Sequence, residues 1–242
     1  MAGLLLYGIV GWPGPASCRV QGLGGSPVRF LPQQELAAVV SGSPPAPWPV
    51  DEEHLTHHEA VVEELMRSQP ILPVRFNTFL RTAEEARHLL QERAQEFRVS
   101  LERVAGRVEM GLRVLWDPPD DPVRPEGQPA PTGGPGTEYL RRRVREAQGR
   151  AAQRRAGVAL IQSLHATFQP LAAACQLHPF PSDRFLLAAA YLVEQERIGA
   201  FREQAAKKLG ESPSVGLLLT GPWPPYSFAN GVEYGIADRL RL

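Results

Sequence analysis

The chain opens on an unbroken apolar run, Leu4 to Val10, which stops at Gly11-Trp12-Pro13-Gly14-Pro15. So short a run with a breaker behind it predicts a strand. Val28 to Leu31 and Leu36 to Val40 predict two more, antiparallel and joined through Pro32-Gln33-Gln34-Glu35, after a turn at Gly22 to Pro27. Ser41 to Pro49 holds four prolines, and Pro45, Pro47 and Pro49 alternate, which favours an extended loop. The period then changes. Asp51 is placed to cap a helix, and Glu52 and Glu53 suit the positive end of its dipole. Leu55, His58, Val62 and Leu65 form its expected buried stripe, and Pro70 ends it. Ile71 to Phe76 reads as a central extended segment. Thr82-Ala83-Glu84-Glu85 is a capping box. It opens one helix with the stripe Ala86, Leu90, Ala94, Phe97, Leu101 and Val104, stopped by Gly106. Val108, Met110, Leu112 and Val114 then alternate with Glu109, Gly111 and Arg113, as in a strand with one buried face.

Asp117 to Gly136 has no apolar run and is rich in Pro, Gly and Asp, so it predicts a linker. Thr137 is expected to cap a long helix reaching Gln169. Its apolar positions follow a four–three spacing: Leu140, Val144, Ala147, Ala151, Arg154, Val158, Ile161, His165 and Phe168. Arg154 and His165 interrupt the seam. Such a helix packs along its length, on its own domain or against another chain. Leu186 to Val193 predicts a buried strand, Glu194 to Leu209 a helix and Val215 to Thr220 a strand. The expected fold class is therefore α+β in two domains: an N-terminal mixed sheet domain over residues 1–116, and a C-terminal ferredoxin-like domain with a long helix over 137–220. The linker occupies 117–136 and a loop-like tail 221–242. No internal repeat of fixed period occurs.

Composition narrows the function classes. The 242 residues are 43% hydrophobic and 21% charged, as in globular proteins. Lys+Arg and Asp+Glu are both 26, so the basic excess of a nucleic-acid binder is missing. The longest apolar run, Phe185 to Val193, is nine residues, against about 20 for a membrane span. No Lys or Arg precedes Arg19, which argues against a secretory signal. Cys18 and Cys175 are too few and too far apart for a disulfide scaffold or a structural zinc site, and read as reduced thiols in a cytosol.

Catalytic motifs are scarce. His54 and His58 have the i, i+4 spacing at which two imidazoles can share a metal, but the zinc-protease pattern begun at His58-Glu59 fails at Val62. A packed His58 beside exposed His54 and His57 is the simpler expectation, and no metal or cofactor is assigned. A metal-dependent small-molecule enzyme using these histidines between the domains is the alternative. Gly22-Leu23-Gly24-Gly25 is followed by a strand instead of a helix, so it reads as a turn and not a phosphate loop. No nucleophile–base pair is evident.

Two features suggest partner contact. Residues 139–155 carry seven arginines against one Glu. That is either a solvated helix face or a surface for an acidic partner, with Arg141, Arg142 and Arg145 as candidates. Nucleic acid is disfavoured because no aromatic residues interleave. The other feature is Leu219-Thr220-Gly221-Pro222-Trp223-Pro224-Pro225-Tyr226-Ser227-Phe228, where prolines stiffen the chain and aromatics supply apolar area. It could clamp its own domain or present a binding surface.

This ending resembles the signature of the gas vesicle protein F/L family. Leu6-Tyr7-Gly8-Ile9-Val10 is similar to the family's first strand. His58-Glu59-Ala60-Val61-Val62 with Ile71-Leu72-Pro73-Val74-Arg75-Phe76 is similar to its central block. Gly106 to Leu112 and Thr137-Glu138-Tyr139-Leu140 match in order. Asn77 stands where the family usually has Gly, and Asn also tolerates a left-handed backbone. The resemblance implies two α+β domains, the second ferredoxin-like, and no enzymatic activity. It implies a cytoplasmic, vesicle-associated accessory protein that binds the small amphipathic shell subunit, and other accessory proteins besides. Candidate partner-binding residues are Arg75, Phe76, Arg141, Arg142, Arg145, Trp223, Tyr226 and Phe228, with a structural role preferred for Arg75 and Phe76.

Overall fold

The computed structural model of the chain describes residues 3–14, 18–44, 46–116, 135–179, 185–211 and 214–229. The fold is mixed α+β with two sheets. It divides into two compact units. The first comprises Met1–Met110, Leu192–Glu196 and Gly221–Leu242, and the second Gly111–Tyr191 and Arg197–Thr220. Of the linker expected at 117–136, residues 117–134 lie outside the described residues.

In the first unit, β1 (Gly3–Gly11) pairs antiparallel with β3 (Leu36–Ser43), β4 (Ile71–Pro73) and β5 (Phe79–Leu80), while β2 (Arg29–Gln33) lies beyond β3. Leu5, Leu6, Tyr7, Ile9 and Val10 are fully buried, so β1 is a continuous apolar run because both its faces are covered. The β1–β3 register shifts between Leu6 and Gly8, leaving Tyr7 as an extra residue. That bulge sets Leu5, Tyr7 and Val10 in one cluster with Ala37 and Val39 and with Val61, Val62 and Leu65 of α1 (Glu52–Ser68). Gly8 is required at the β4 side, because a Cβ there would stand 2.6 Å from the Leu72 carbonyl oxygen.

The helix signals are realised with two shifts. Asp51 caps α1 through Oδ1, which accepts from the His54 N–H at 2.9 Å. The buried stripe is His58, Val61, Val62 and Leu65, whereas Leu55 is exposed. The first turn is held by its cap and by the His54 ring against Trp48, not by burial of Leu55. The single helix expected after Thr82 is two, α2 (Ala83–Glu92) and α3 (Ala94–Val104), broken where Arg93 takes φ −119° and ψ 20°. Backbone bonds run on through the break, from Arg93 N–H to Leu89 and from Phe97 N–H to Arg93. The break therefore re-aims the stripe, and no Gly or Pro marks it. Gly106, at φ +68°, ends α3 as expected.

The second sheet contains β6 (Arg107–Trp116), β7 (Ala174–Pro179), β8 (Phe185–Glu194) and β9 (Val215–Trp223), in the order β7-β8-β6-β9. Val108, Met110, Leu112 and Val114 are buried, as their alternation predicts. β7 has no apolar alternation in Ala-Cys-Gln-Leu-His-Pro and was not expected. Among the helices α4 (Pro135–Phe168) and α5 (Ile198–Glu211), the core of the second unit gathers on three rings. Phe168 lies 4.9 Å from Phe201 and 5.9 Å from Tyr191, centroid to centroid. α4 does not pack along its seam: Leu140, Val144 and Val158 are exposed, and among its described side chains the buried positions are Gly157, Leu164 and Phe168. No helix among the described residues is long and apolar enough to cross a membrane.

Candidate functional site

The proline-rich ending folds as a clamp on the first unit. Gly221 turns the chain at φ +106°, and a Cβ there would meet the Glu109 carbonyl oxygen at 2.7 Å. Pro224 and Pro225 are buried, and a tight turn follows in which the Phe228 N–H donates to the Pro225 carbonyl at 3.0 Å. Glu109 on β6 receives this turn with both carboxylate oxygens. Oε2 accepts from the Ser227 N–H at 2.8 Å and Oε1 from the Ser227 hydroxyl at 2.7 Å. The Arg103 guanidinium donates to the Phe228 carbonyl, and the Phe228 ring is buried. Trp223 differs: 40% of it is exposed, beside exposed Pro222. The segment thus combines both roles open in the sequence, with Phe228 as anchor and Trp223 facing outward.

The surroundings of Tyr226 are acidic. Burial first, then the carboxylates of Glu59, Glu63 and Glu109, push its hydroxyl well above the ordinary phenol value. Burial also raises Glu109, against the lowering effect of the two Ser227 bonds, and burial followed by Glu63 raises Glu59. Beside the turn, a cleft of about 200 Å³ runs between Met66, Gln69, Val104, Arg107 and Pro225.

The central block is a packed turn. Val74 N–H donates to the Tyr7 carbonyl at 3.1 Å and Leu6 N–H to the Thr78 carbonyl at 2.9 Å, so residues 74–78 are held against β1. Asn77 adopts φ +63°, the left-handed conformation expected of a residue standing in for Gly. Its side chain donates to the Trp48 carbonyl at 2.9 Å and accepts from the Trp48 N–H at 3.0 Å. Phe76 is half-buried, edge-on to His58 at 5.6 Å, and Arg75 is exposed.

The histidines are separately engaged. His58 is buried, stacked on Tyr7 at 5.0 Å, with Nε2 3.3 Å from the Val74 carbonyl. Its burial lowers its pKa to about 4. His54 Nδ1 lies 2.6 Å from Asp51 Oδ1, and His57 Nε2 lies 2.8 Å from the Gln21 carbonyl. Among the described residues no group of three or more His, Cys, Asp or Glu is placed to hold a metal ion.

Arg141, Arg142 and Arg145 stand on α4, with side chains outside the described residues. Arg143 is exposed, its guanidinium 5.8 Å from the Tyr139 ring centre, and Arg154 and Arg155 are exposed too. Ser227 and Phe228 meet Glu109 and Arg103, which sequence reasoning missed. Glu109 reads as one polar position of an alternating strand, and no local pattern ties it to a residue 118 positions away.

The family model described as gas vesicle synthesis protein GvpL/GvpF matches residues 3–230. Gas vesicle protein L of Streptomyces sp. (strain CB03234) is 34% identical over 241 residues, covering 90% of this chain and 88% of that protein. Gas vesicle protein F1 of Halobacterium salinarum is 23% identical, covering 87% of this chain and 85% of that protein. The fold resembles the crystal structure of the gas vesicle protein GvpF from Anabaena sp. PCC7120, with a TM-score of 0.76 at 22% identity over 95% of this chain and 96% of that one.

Proposed function

The chain belongs to the gas vesicle synthesis protein GvpL/GvpF family, and on that premise we propose that it is a non-catalytic accessory protein of gas vesicle assembly that binds the small amphipathic shell subunit. In this reading it works in the cytoplasm and at the growing vesicle, as a chaperone-like holder or a minor shell component. A subunit destined to line a gas space exposes apolar surface before it assembles, and a holder needs fixed apolar area in return. The observation that carries the reading is the fixed aromatic: Trp223 is presented outward from a segment anchored by Phe228, Arg103 and Glu109. Large, rigid aromatics held in place are the side chains that dominate binding surfaces.

Of the other candidates, Arg75 and Phe76 support the reading indirectly, within the 74–78 turn, where the Arg75 carbonyl accepts from the Thr78 hydroxyl and the Phe76 ring meets His58, and Tyr226 by packing the clamp. We also infer that the second unit is ferredoxin-like. Its support is the element order β6-α4-β7-β8-α5-β9 together with the strand order β7-β8-β6-β9. Of the expected linker, 117–134 remains the proposed one, because Pro135 and Gly136 already stand in α4, two residues before the expected cap at Thr137. The metal-enzyme alternative finds no support in the histidines, which are each engaged in capping, loop contact or core packing.

Co-expression with the shell subunit and affinity capture tests the proposal. The wild type is expected to retain the subunit, and Trp223→Ala to lose most of it while its thermal midpoint stays within a few degrees. No capture by the wild type, or full capture by Trp223→Ala, overturns it.

A further inference from the structure

α4 carries two different faces. Its C-terminal end enters the core of the second unit through Gly157, Leu164 and Phe168. Upstream, the four–three seam is left outside: Leu140 is 63% exposed, Val144 54% and Val158 54%, and Ala147 and Arg154 are exposed as well. Among the described residues from 139 to 156 none is buried. A seam confined to two positions in seven is the mark of a two-helix coiled coil, whereas a helix lying in a membrane surface carries a broader apolar face with larger side chains.

The flanks specify the occupant. With Leu140, Ala147 and Arg154 at one seam position and Val144, Ala151 and Val158 at the other, the adjoining helical positions are 141, 143, 148, 150, 155 and 157. These are Arg, Arg, Gln, Arg, Arg and, where the helix enters the core, Gly, with no acid among them. Two copies of this helix would set Arg against Arg in either orientation, which disfavours self-pairing. A helix with Glu or Asp at its flanks would instead meet complementary charge along the whole stretch, and Arg154 within the seam calls for one acid opposite it. Nucleic acid fits poorly, because the seam is aliphatic and offers no ladder of stacking rings.

We propose that residues 140–158 of α4 are one half of a heteromeric coiled coil whose other half is an acidic amphipathic helix of about five turns, roughly 28 Å long. This surface is distinct from the Trp223 segment and stands whether or not that segment binds the shell subunit.

The full-length protein can be titrated with a labelled synthetic helix carrying Leu at the seam and Glu at the flanks, read by fluorescence anisotropy. A scrambled peptide of the same composition, a Lys-flanked peptide, anionic phospholipid vesicles and duplex DNA are run in parallel. The Glu-flanked helix is expected to bind at least tenfold more tightly than its scramble and to weaken with salt. Leu140→Asp with Val144→Asp should abolish binding without altering the melting curve. Arg143→Glu with Arg155→Glu should shift preference toward the Lys-flanked peptide. Equal binding of ordered and scrambled peptides, no saturable binding, tighter binding to vesicles or DNA, or a stable dimer of the protein alone that Val144→Asp dissolves, would each overturn the proposal.

Discussion

Glu109 holds Ser227 with both oxygens of one carboxylate, at 2.8 Å to the backbone N–H and 2.7 Å to the hydroxyl. Removing that hydroxyl leaves a half-buried carboxylate short of a donor. Ser227→Ala is therefore expected to cost about 1–3 kcal/mol, measured by urea unfolding at neutral pH. Loss of less than a few tenths would mean that the clamp is held by Phe228 alone.

The same carboxylate gives a pH signature. Burial raises Glu109 above its ordinary value of 4.5, so the folded protein takes up this proton more readily than the unfolded chain. The associated stabilisation is complete below the unfolded value and is lost as pH rises through the raised folded value. Wild type should thus gain stability relative to Glu109→Gln between pH 7 and pH 4.5 in paired thermal melts. A constant difference across that range would contradict the assignment.

His58 works in the opposite sense. Its pKa falls from 6.5 unfolded to about 4 folded, chiefly through burial. Stability is full above 6.5 and drains as pH drops toward 4, by roughly 3 kcal/mol in all. His58→Phe, which keeps a ring against Tyr7, should flatten that part of the stability curve. Equal acid sensitivity of variant and wild type would remove His58 as its source.

Gly8 separates close packing from sequence preference. A methyl group there meets Leu72 O at 2.6 Å and the Ile71 side chain at 2.8 Å. Gly8→Ala should lower stability by about 1–3 kcal/mol in guanidinium unfolding, despite the better strand propensity of Ala. A neutral result would show that β4 can retreat from β1.

Asn77 offers a graded test of the central turn. Asn77→Gly keeps the left-handed backbone and loses both bonds to Trp48, for an expected cost of about 1 kcal/mol. Asn77→Ala loses the bonds and strains the backbone, so it should fall further. Equal melting temperatures for the two variants would show that the φ value is not limiting.

Local signals in the sequence were read faithfully by the fold. Asp51 and Thr82 cap the helices they precede, Gly106 ends one, and the alternation from Val108 to Val114 is a half-buried strand. What was not legible depends on contacts distant in the chain. The break at Arg93 re-aims two stripes without Gly or Pro, and β5 is a two-residue pairing that only β1 creates. Leu55 follows the spacing of the α1 stripe and is still exposed. At the candidate site, composition singled out the aromatic ending. It could not show which ring anchors and which faces outward, because Glu109 and Arg103 decide that from other elements.

The discontinuity of the first unit has a consequence for biosynthesis. Glu109 leaves the ribosome long before Ser227, which is 118 residues behind it. Throughout that interval the nascent N-terminal body lacks its closing turn, and the surface around Glu59, Val104 and Glu109 is hydrated. Completion of this body is thus coupled to translation of the intervening one. A fragment ending at Trp116 would be an unfinished object, not a free-standing domain.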